Sequence, residues 1–294
     1  MSHRYSVQWA IRDINFEITK NGIYGLLGSN GAGKSTILKS IIRQIDLLGG
    51  AVYLDRASMK DMTEKQIARR MSVLMTERIR PELMTCEDVV ATGRYPYTGR
   101  LGILGREDRE KVREAMELVH AGDLGGRDFM EISDGQKQRI LLARAICQEP
   151  EAIVLDEPTS FLDIRHKLEL LTILKDLVRE KQVAVLMSLH ELDLAQKLSD
   201  YIVCVNGDTI ERLGTPEEIF TSSYITQLYG ISKGSYHAEL GCLEMEPVKG
   251  KPEVFVIGGN GSGIPVYRKL QRRGVPFAAG CQGPGRGGGI GSTV

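Results

Sequence analysis

The segment Gly28-Ser29-Asn30-Gly31-Ala32-Gly33-Lys34-Ser35 fits the pattern G-x-x-x-x-G-K-[ST]. The chemistry of that pattern is phosphate binding. Its glycines let successive backbone N–H groups face anionic oxygens, Lys34 adds a cation, and Ser35 offers a hydroxyl to Mg²⁺. Thr36 follows into a helix whose N-terminus carries a partial positive charge. Downstream, Ile153-Val154-Leu155-Asp156-Glu157 is an apolar run ending in adjacent carboxylates. Asp-Glu at a strand end is common, and alone it reads as a solvated terminus. With the phosphate loop upstream and Pro158-Thr159-Ser160 and Asp163 behind it, a metal-holding and catalytic pair is the better reading. Between these motifs lies Ser133-Asp134-Gly135-Gln136 at the start of a helical stretch running to Cys147. Ser133 can cap that helix, and the free N–H groups and dipole behind it can meet an anion. That anion cannot be the phosphate the first loop already surrounds.

These groups need elements to hold them. Ile23 to Leu27 is an apolar run leading into the Gly-rich loop, and Ser35 to Gln44 has helical spacing, which is the strand–turn–helix setting the loop requires. Ala51 to Leu54 reads as a further strand. From about Met71 to Met130 the pattern turns to helical segments, with Glu107 to His120 the clearest. Glu151 to Leu155 and Val183 to Ser188 suit parallel strands covered on both faces. Tyr201 to Val205 and Asp208 to Leu213 read as an antiparallel pair around Asn206-Gly207. After Ser232 the character shifts: a strand at Glu253 to Ile257, a Gly258 to Gly263 turn and a helix over Val266 to Arg273 open a second α/β unit. Beyond Gly280 the Gly-rich composition departs abruptly, as a truncated end would, and predicts a disordered tail.

Composition narrows the class. Hydrophobic residues at 42% and charged residues at 26% suit a globular chain with a sizeable core. Lys+Arg and Asp+Glu are equal at 38 each, which leaves no electrostatic footprint for nucleic acid. Cys86, Cys147, Cys204, Cys242 and Cys281 are scattered without C-x-x-C spacing, as in a reducing compartment. No apolar run approaches a membrane span.

A P-loop, then S-x-G-Q, then an apolar strand ending in Asp-Glu, then His190 after another strand, resembles the ATPase subunits of ABC transporters over roughly residues 1 to 230. The resemblance implies an α/β P-loop NTPase: a mainly parallel sheet, an inserted helical subdomain over about 71–135 and a short antiparallel part. It divides the chain into an ATPase domain, 1–232, and a partial α/β extension, 233–294, with a Gly-rich tail. It implies ATP and Mg²⁺ as cofactors, held by Gly28 to Thr36 and by Asp156. Glu157 becomes the general base or polariser of the attacking water, and His190 the γ-phosphate sensor that orients it. Ser133, Gly135 and Gln136 would meet the γ-phosphate of ATP bound by a second copy, and Leu162-Asp163 would cross that dimer interface. Tyr5 would stack on adenine, with Trp9 a competing aromatic.

After Val73-Leu74-Met75 the family carries a glutamine that touches Mg²⁺, whereas this chain has Thr76-Glu77. Either the Thr76 hydroxyl or the Glu77 carboxylate could take that place. Thr85-Cys86-Glu87-Asp88-Val89-Val90 followed by Gly93-Arg94-Tyr95-Pro96 resembles the branch that imports iron–siderophores, haem and cobalamin. The implied partners are transmembrane permease subunits, a second copy and, indirectly, a substrate-binding protein. The implied location is the cytoplasmic face of the membrane. Two other classes compete: a soluble ABC-type ATPase acting on DNA or ribosomes, and a non-hydrolysing ATP-gated copy. Zero net charge and a single P-loop oppose the first; intact Lys34, Asp156 and Glu157 oppose the second.

Overall fold

The computed structural model describes residues 3–5, 8–19, 21–75, 81–99, 102–160, 162–238, 241–259 and 261–281, with 3–5, 8–10 and 281 through their backbone alone. Residues through Tyr229 form one compact unit, and those from Gly230 a second.

The first unit is organised by a six-stranded sheet in the order Thr209–Gly214, Tyr201–Asn206, Gly22–Leu27, Ala184–Ser188, Ala152–Leu155, Met71–Leu74. All neighbours are parallel except the Thr209–Gly214 edge, which returns antiparallel after the Asn206-Gly207 turn. Gly22–Leu27 is buried at every position. A strand covered on both faces needs apolar residues throughout rather than alternation, and its sequence supplies them. Tyr24 and Tyr201 stack across adjacent strands with ring centroids 4.9 Å apart. Ile11, Leu26, Ile37, Leu38, Val154 and Val203 belong to the core under the Lys34–Ile41 helix.

This topology positions the site. Gly22–Leu27, Ala184–Ser188 and Ala152–Leu155 are consecutive parallel strands, so their carboxyl ends open on one edge of the sheet. The residues following them, Gly28–Ser35, His190 and Asp156-Glu157, therefore converge there, the usual place for ligands in parallel α/β sheets.

The helices Cys86–Ala91, Arg106–Leu118 and Asp134–Cys147 pack on one another. The first starts on a Thr85/Asp88 capping box. Gly93 lets the backbones approach closely, since a Cβ there would stand 2.3 Å from the Arg144 carbonyl oxygen. Arg94 is buried and bonds Asp108 at 2.9 Å, Glu149 at 2.8 Å and the Cys147 carbonyl at 2.9 Å. Sequence periodicity places the onset of helical structure at about Met71. In the structure Met71–Leu74 is instead a strand of the central sheet, paired parallel with Ala152–Leu155, and the next helix among the described residues starts at Cys86. A short apolar run has no period of its own; the open edge of Ala152–Leu155 decides its conformation. The Ala51 to Leu54 reading shrinks to a Tyr53–Leu54 strand paired with Ala57–Ser58.

In the second unit, Ser235–His237 pairs antiparallel with Cys242–Glu244, two strands where the sequence shows no period. Val254–Gly258, the Ile264–Arg272 helix and Phe277–Cys281 form a βαβ with parallel strands. Tyr267 stacks on Phe277 with ring centroids 5.3 Å apart. The tail beyond Cys281 lies outside the described residues.

Candidate nucleotide-binding and hydrolysis site

The Gly28–Ser35 loop leaves the buried strand and turns into the Lys34–Ile41 helix. Gly28 passes so close to the neighbouring strand that a Cβ would stand 2.3 Å from the Val205 carbonyl oxygen. Gly33 caps the helix in the left-handed region at φ 94°, which a side chain would strain. Asn30 and Gly31 are exposed at the tip, and Ala32 is buried beneath it. Lys34 is 6% exposed, and its Nζ donates to the carbonyls of Gly28 at 2.8 Å and Ser29 at 3.2 Å. The ammonium therefore sits inside the loop's own concavity. Burial draws its pKa below the usual lysine value, while the charges of Glu157 and Asp156 oppose that shift.

Asp156 follows directly on Ala152–Leu155 and is buried. Its Oδ1 accepts from Ser35 Oγ at 3.2 Å and from Ser188 Oγ at 2.7 Å. A hydroxyl and a carboxylate held together are hard oxygen donors of the kind Mg²⁺ takes alongside water and phosphate oxygens. The residues present thus fit the cation. Glu157 has φ 48°, a left-handed value that is costly for a side chain. Its backbone N–H donates to Ser188 Oγ at 2.8 Å, which helps hold the turn. The Glu157 carboxylate accepts from Ser160 Oγ at 2.9 Å and meets His190 Nε2 at 2.5 Å. Desolvation pushes the Glu157 pKa up, but bonding to His190 and Ser160, aided by the charges of His190 and Lys34, brings the net value below the ordinary one. Glu157 is therefore a carboxylate at neutral pH.

Ser133 caps the Asp134–Cys147 helix, with its Oγ accepting from the Gln136 N–H and the Gln136 side chain accepting from the Ser133 N–H. Ser133 and Asp134 are exposed, and Gly135 is buried. Among the described residues no hydrogen bond joins Ser133, Gly135 or Gln136 to residues 28–36. Asp163 caps the Ile164–Lys181 helix by accepting from the His166 N–H at 2.8 Å.

Sequence reasoning passed over Ser188, whose hydroxyl joins Asp156 to Glu157. Its signal is a polar residue, fully buried, closing an apolar strand. Ser188→Ala would leave the Glu157 N–H without this acceptor and remove the shorter of the two hydroxyl bonds to Asp156 Oδ1. We expect a loss of about 1–3 kcal/mol in unfolding free energy and a fall in Mg²⁺-dependent hydrolysis, measured by denaturant titration and phosphate release. Unchanged stability and rate would show that the bridge is idle.

The ABC transporter family profile matches residues 11–160, just over half of the chain. This chain belongs to the ABC transporter family. An ABC transporter ATP-binding protein of Methanocaldococcus jannaschii is 39% identical over 92% of this chain and 93% of the relative. The iron(3+)-hydroxamate import ATP-binding protein FhuC of Bacillus subtilis is 35% identical over 77% of this chain and 84% of its own length. Among solved structures, an inward-facing ABC transporter described as of metal-chelate type superposes with a TM-score of 0.67 at 26% identity, covering 77% of this chain and 85% of that one.

Within this ABC ATPase, the structure brings Gly28–Ser35, Asp156, Glu157 and His190 to one sheet edge and leaves Ser133–Gln136 and Asp163 at the starts of two other helices. Tyr5 lies in a His3–Tyr5 strand paired with Gln8–Ile11; its ring is outside the described residues, as is that of Trp9. Thr76 and Glu77 also lie outside them.

Proposed function

We propose that this chain hydrolyses ATP to power a membrane importer of metal complexes of the iron–siderophore, haem or cobalamin kind. The observation that carries the hydrolytic part is the chain of contacts from Ser35 through Asp156 and Ser188 to Glu157 and His190, beside the loop whose carbonyls hold Lys34. Backbone N–H groups of the loop and Lys34 bind the β- and γ-phosphates. Ser35 and Asp156 would hold Mg²⁺, which would supply positive charge to offset the charge that develops on the phosphates. Glu157, kept ionised, takes or polarises the proton of the attacking water, and His190 fixes its direction. Nothing in this site needs covalent chemistry, so catalysis is positioning and charge stabilisation.

Among the described residues, Ser133, Gly135 and Asp163 have no hydrogen bond to this chain's own phosphate loop. In this reading they serve the ATP of a second copy, so that two copies enclose two nucleotides. A cleft of 380 Å³ is lined by Ile42, Ile67, Met71, Tyr95, Arg144 and Gln148, at the junction of the central sheet and the helical layer. Arg43 and Glu64 also line it, so its walls are aliphatic, aromatic and of both charges, which suits a short amphipathic helix of a permease. No helix of the described residues is long and apolar enough to cross a membrane; in this reading the permease supplies the membrane path and the chain sits on its cytoplasmic face. The import direction and metal-complex class rest on the names of relatives such as the hydroxamate importer subunit.

Deleting the gene should abolish uptake of radiolabelled iron chelates or cobalamin, and restoring it with Lys34→Ala should not recover uptake. Normal uptake in the deletion strain removes the transport reading. ATP binding by the purified chain without phosphate release removes the hydrolytic one.

A further inference from the structure

The two segments that would reach a second protomer's nucleotide are joined within their own protomer by one side chain that no motif names. His166 lies in the first turn of the Ile164–Lys181 helix. Its ring Nδ1 is 2.9 Å from Asp163 Oδ1, the same oxygen that accepts the His166 backbone N–H at 2.8 Å. The other side of the contact is Gly135. A Cβ built on Gly135 would stand 2.6 Å from His166 Cγ and Cδ2, so the ring packs directly on the backbone of the Ser133-capped helix. Glycine at 135 is thus required by the ring as well as by any phosphate. The next residue, Lys167, bonds Glu191 at 2.7 Å, beside His190. The first turn of the Ile164–Lys181 helix therefore touches the Asp134–Cys147 helix that carries Ser133-x-Gly135-Gln136 (the signature helix) through one side chain and the segment after His190 through the next.

We propose that His166 is a positioning residue that locks the Ser133–Gln136 helix start to Asp163, so that both meet the second copy's nucleotide in fixed register. The inference rests on the two-copy reading above. A helix start aimed at a γ-phosphate must be held to a fraction of an ångström, and a misplacement of about 1 Å can cost on the order of 10²-fold in rate. The flat ring is suited to this task. One face excludes any movement of Gly135 toward the Asp163 segment, and its nitrogen fixes the Asp163 carboxylate.

The role makes a prediction about which protomer matters. Lys34→Ala and Gly135→Asp chains are each expected to be inactive alone. Mixed, they form dimers in which the Gly135→Asp chain supplies an intact phosphate loop and the Lys34→Ala chain supplies an intact signature helix and Asp163. ATP hydrolysis should reappear. Adding His166→Ala to the Lys34→Ala chain should lower the recovered rate about tenfold or more. The loss is expected only in that placement, and not when His166→Ala sits in the Gly135→Asp chain. His166→Asn, which keeps a donor near the position of Nδ1, should recover part of the rate. Thermal melts of each variant separate misfolding from misplacement. Equal losses in both placements would mean that His166 only supports folding, and no loss in either would mean that the link is idle; each overturns the proposal. If the parental mixture stays silent while the wild-type chain hydrolyses ATP, the two-copy reading itself fails and takes this inference with it.

Discussion

Glu157→Gln is expected to keep ATP binding while hydrolysis falls by about 10²–10⁴-fold, the range associated with removing a positioned general base. The substitution is nearly isosteric. The amide oxygen can replace one of the two carboxylate oxygens and the NH2 the other, donating there to the Ser160 hydroxyl or the His190 ring nitrogen, and the backbone contact with Ser188 is untouched, so the turn at φ 48° should persist. The anionic oxygen that would take or polarise a water proton is lost. The phosphate loop, Lys34 and the Ser35–Asp156 pair are untouched. With ATP bound and unable to turn over, closed dimers should accumulate and elute earlier on size exclusion with Mg²⁺ and ATP than without. Wild-type phosphate release from this variant would remove Glu157 from the reaction. The wild-type carboxylate sits below the ordinary pKa, through His190 and Ser160 in spite of desolvation. Its base form therefore persists into the acid range, and loss of activity on mild acidification would have to come from another group.

The largest expected loss of stability is at Arg94. Its side chain is 3% exposed and joins Asp108, Glu149 and the Cys147 carbonyl, with its guanidinium 4.0 Å from the Tyr97 ring centre. Arg94→Ala removes the cation and leaves the acids facing one another across a cavity. Breaking a buried pair from one side costs about 3–5 kcal/mol, and partial solvation of Glu149 places this case near 3 kcal/mol. For a chain of this size that is on the order of a 6–12 °C fall in melting temperature. Desolvation raises the pKa of Asp108, yet its bonds to the Gly105 amide and Arg94 leave it depressed overall. For Glu149, desolvation is outweighed by Lys111 and Arg94. A depressed carboxylate contributes stability above its unfolded pKa, near 4, and loses it as pH falls through the folded value. The wild type should therefore show an acid limb below about pH 4 that is shallower in Arg94→Ala. A variant melting within a degree of wild type would show that water replaces the guanidinium.

Residue order alone determined the phosphate loop, the Asp156-Glu157 strand end and the helix cap at Ser133, because each is a local device. A glycine-rich turn, a hydrophobic run and a capping box are encoded within a few neighbouring positions, and elements of that length declare themselves by spacing. The parallel core was legible too, since strands covered on both faces must be apolar throughout. The Met71–Leu74 run carries no strand signal of its own, because its strand character is set by Ala152–Leu155, distant in the chain. The contacts of Ser188 with Asp156 and Glu157, of His166 with Gly135 and of Arg94 with Glu149 have the same origin. Each joins residues that only packing brings together, and a polar side chain carries no mark of its partner until burial makes leaving it unbonded costly. Spacing along the chain can therefore mark the groups proposed to meet a nucleotide, while the sheet order and helix packing decide what holds them in place.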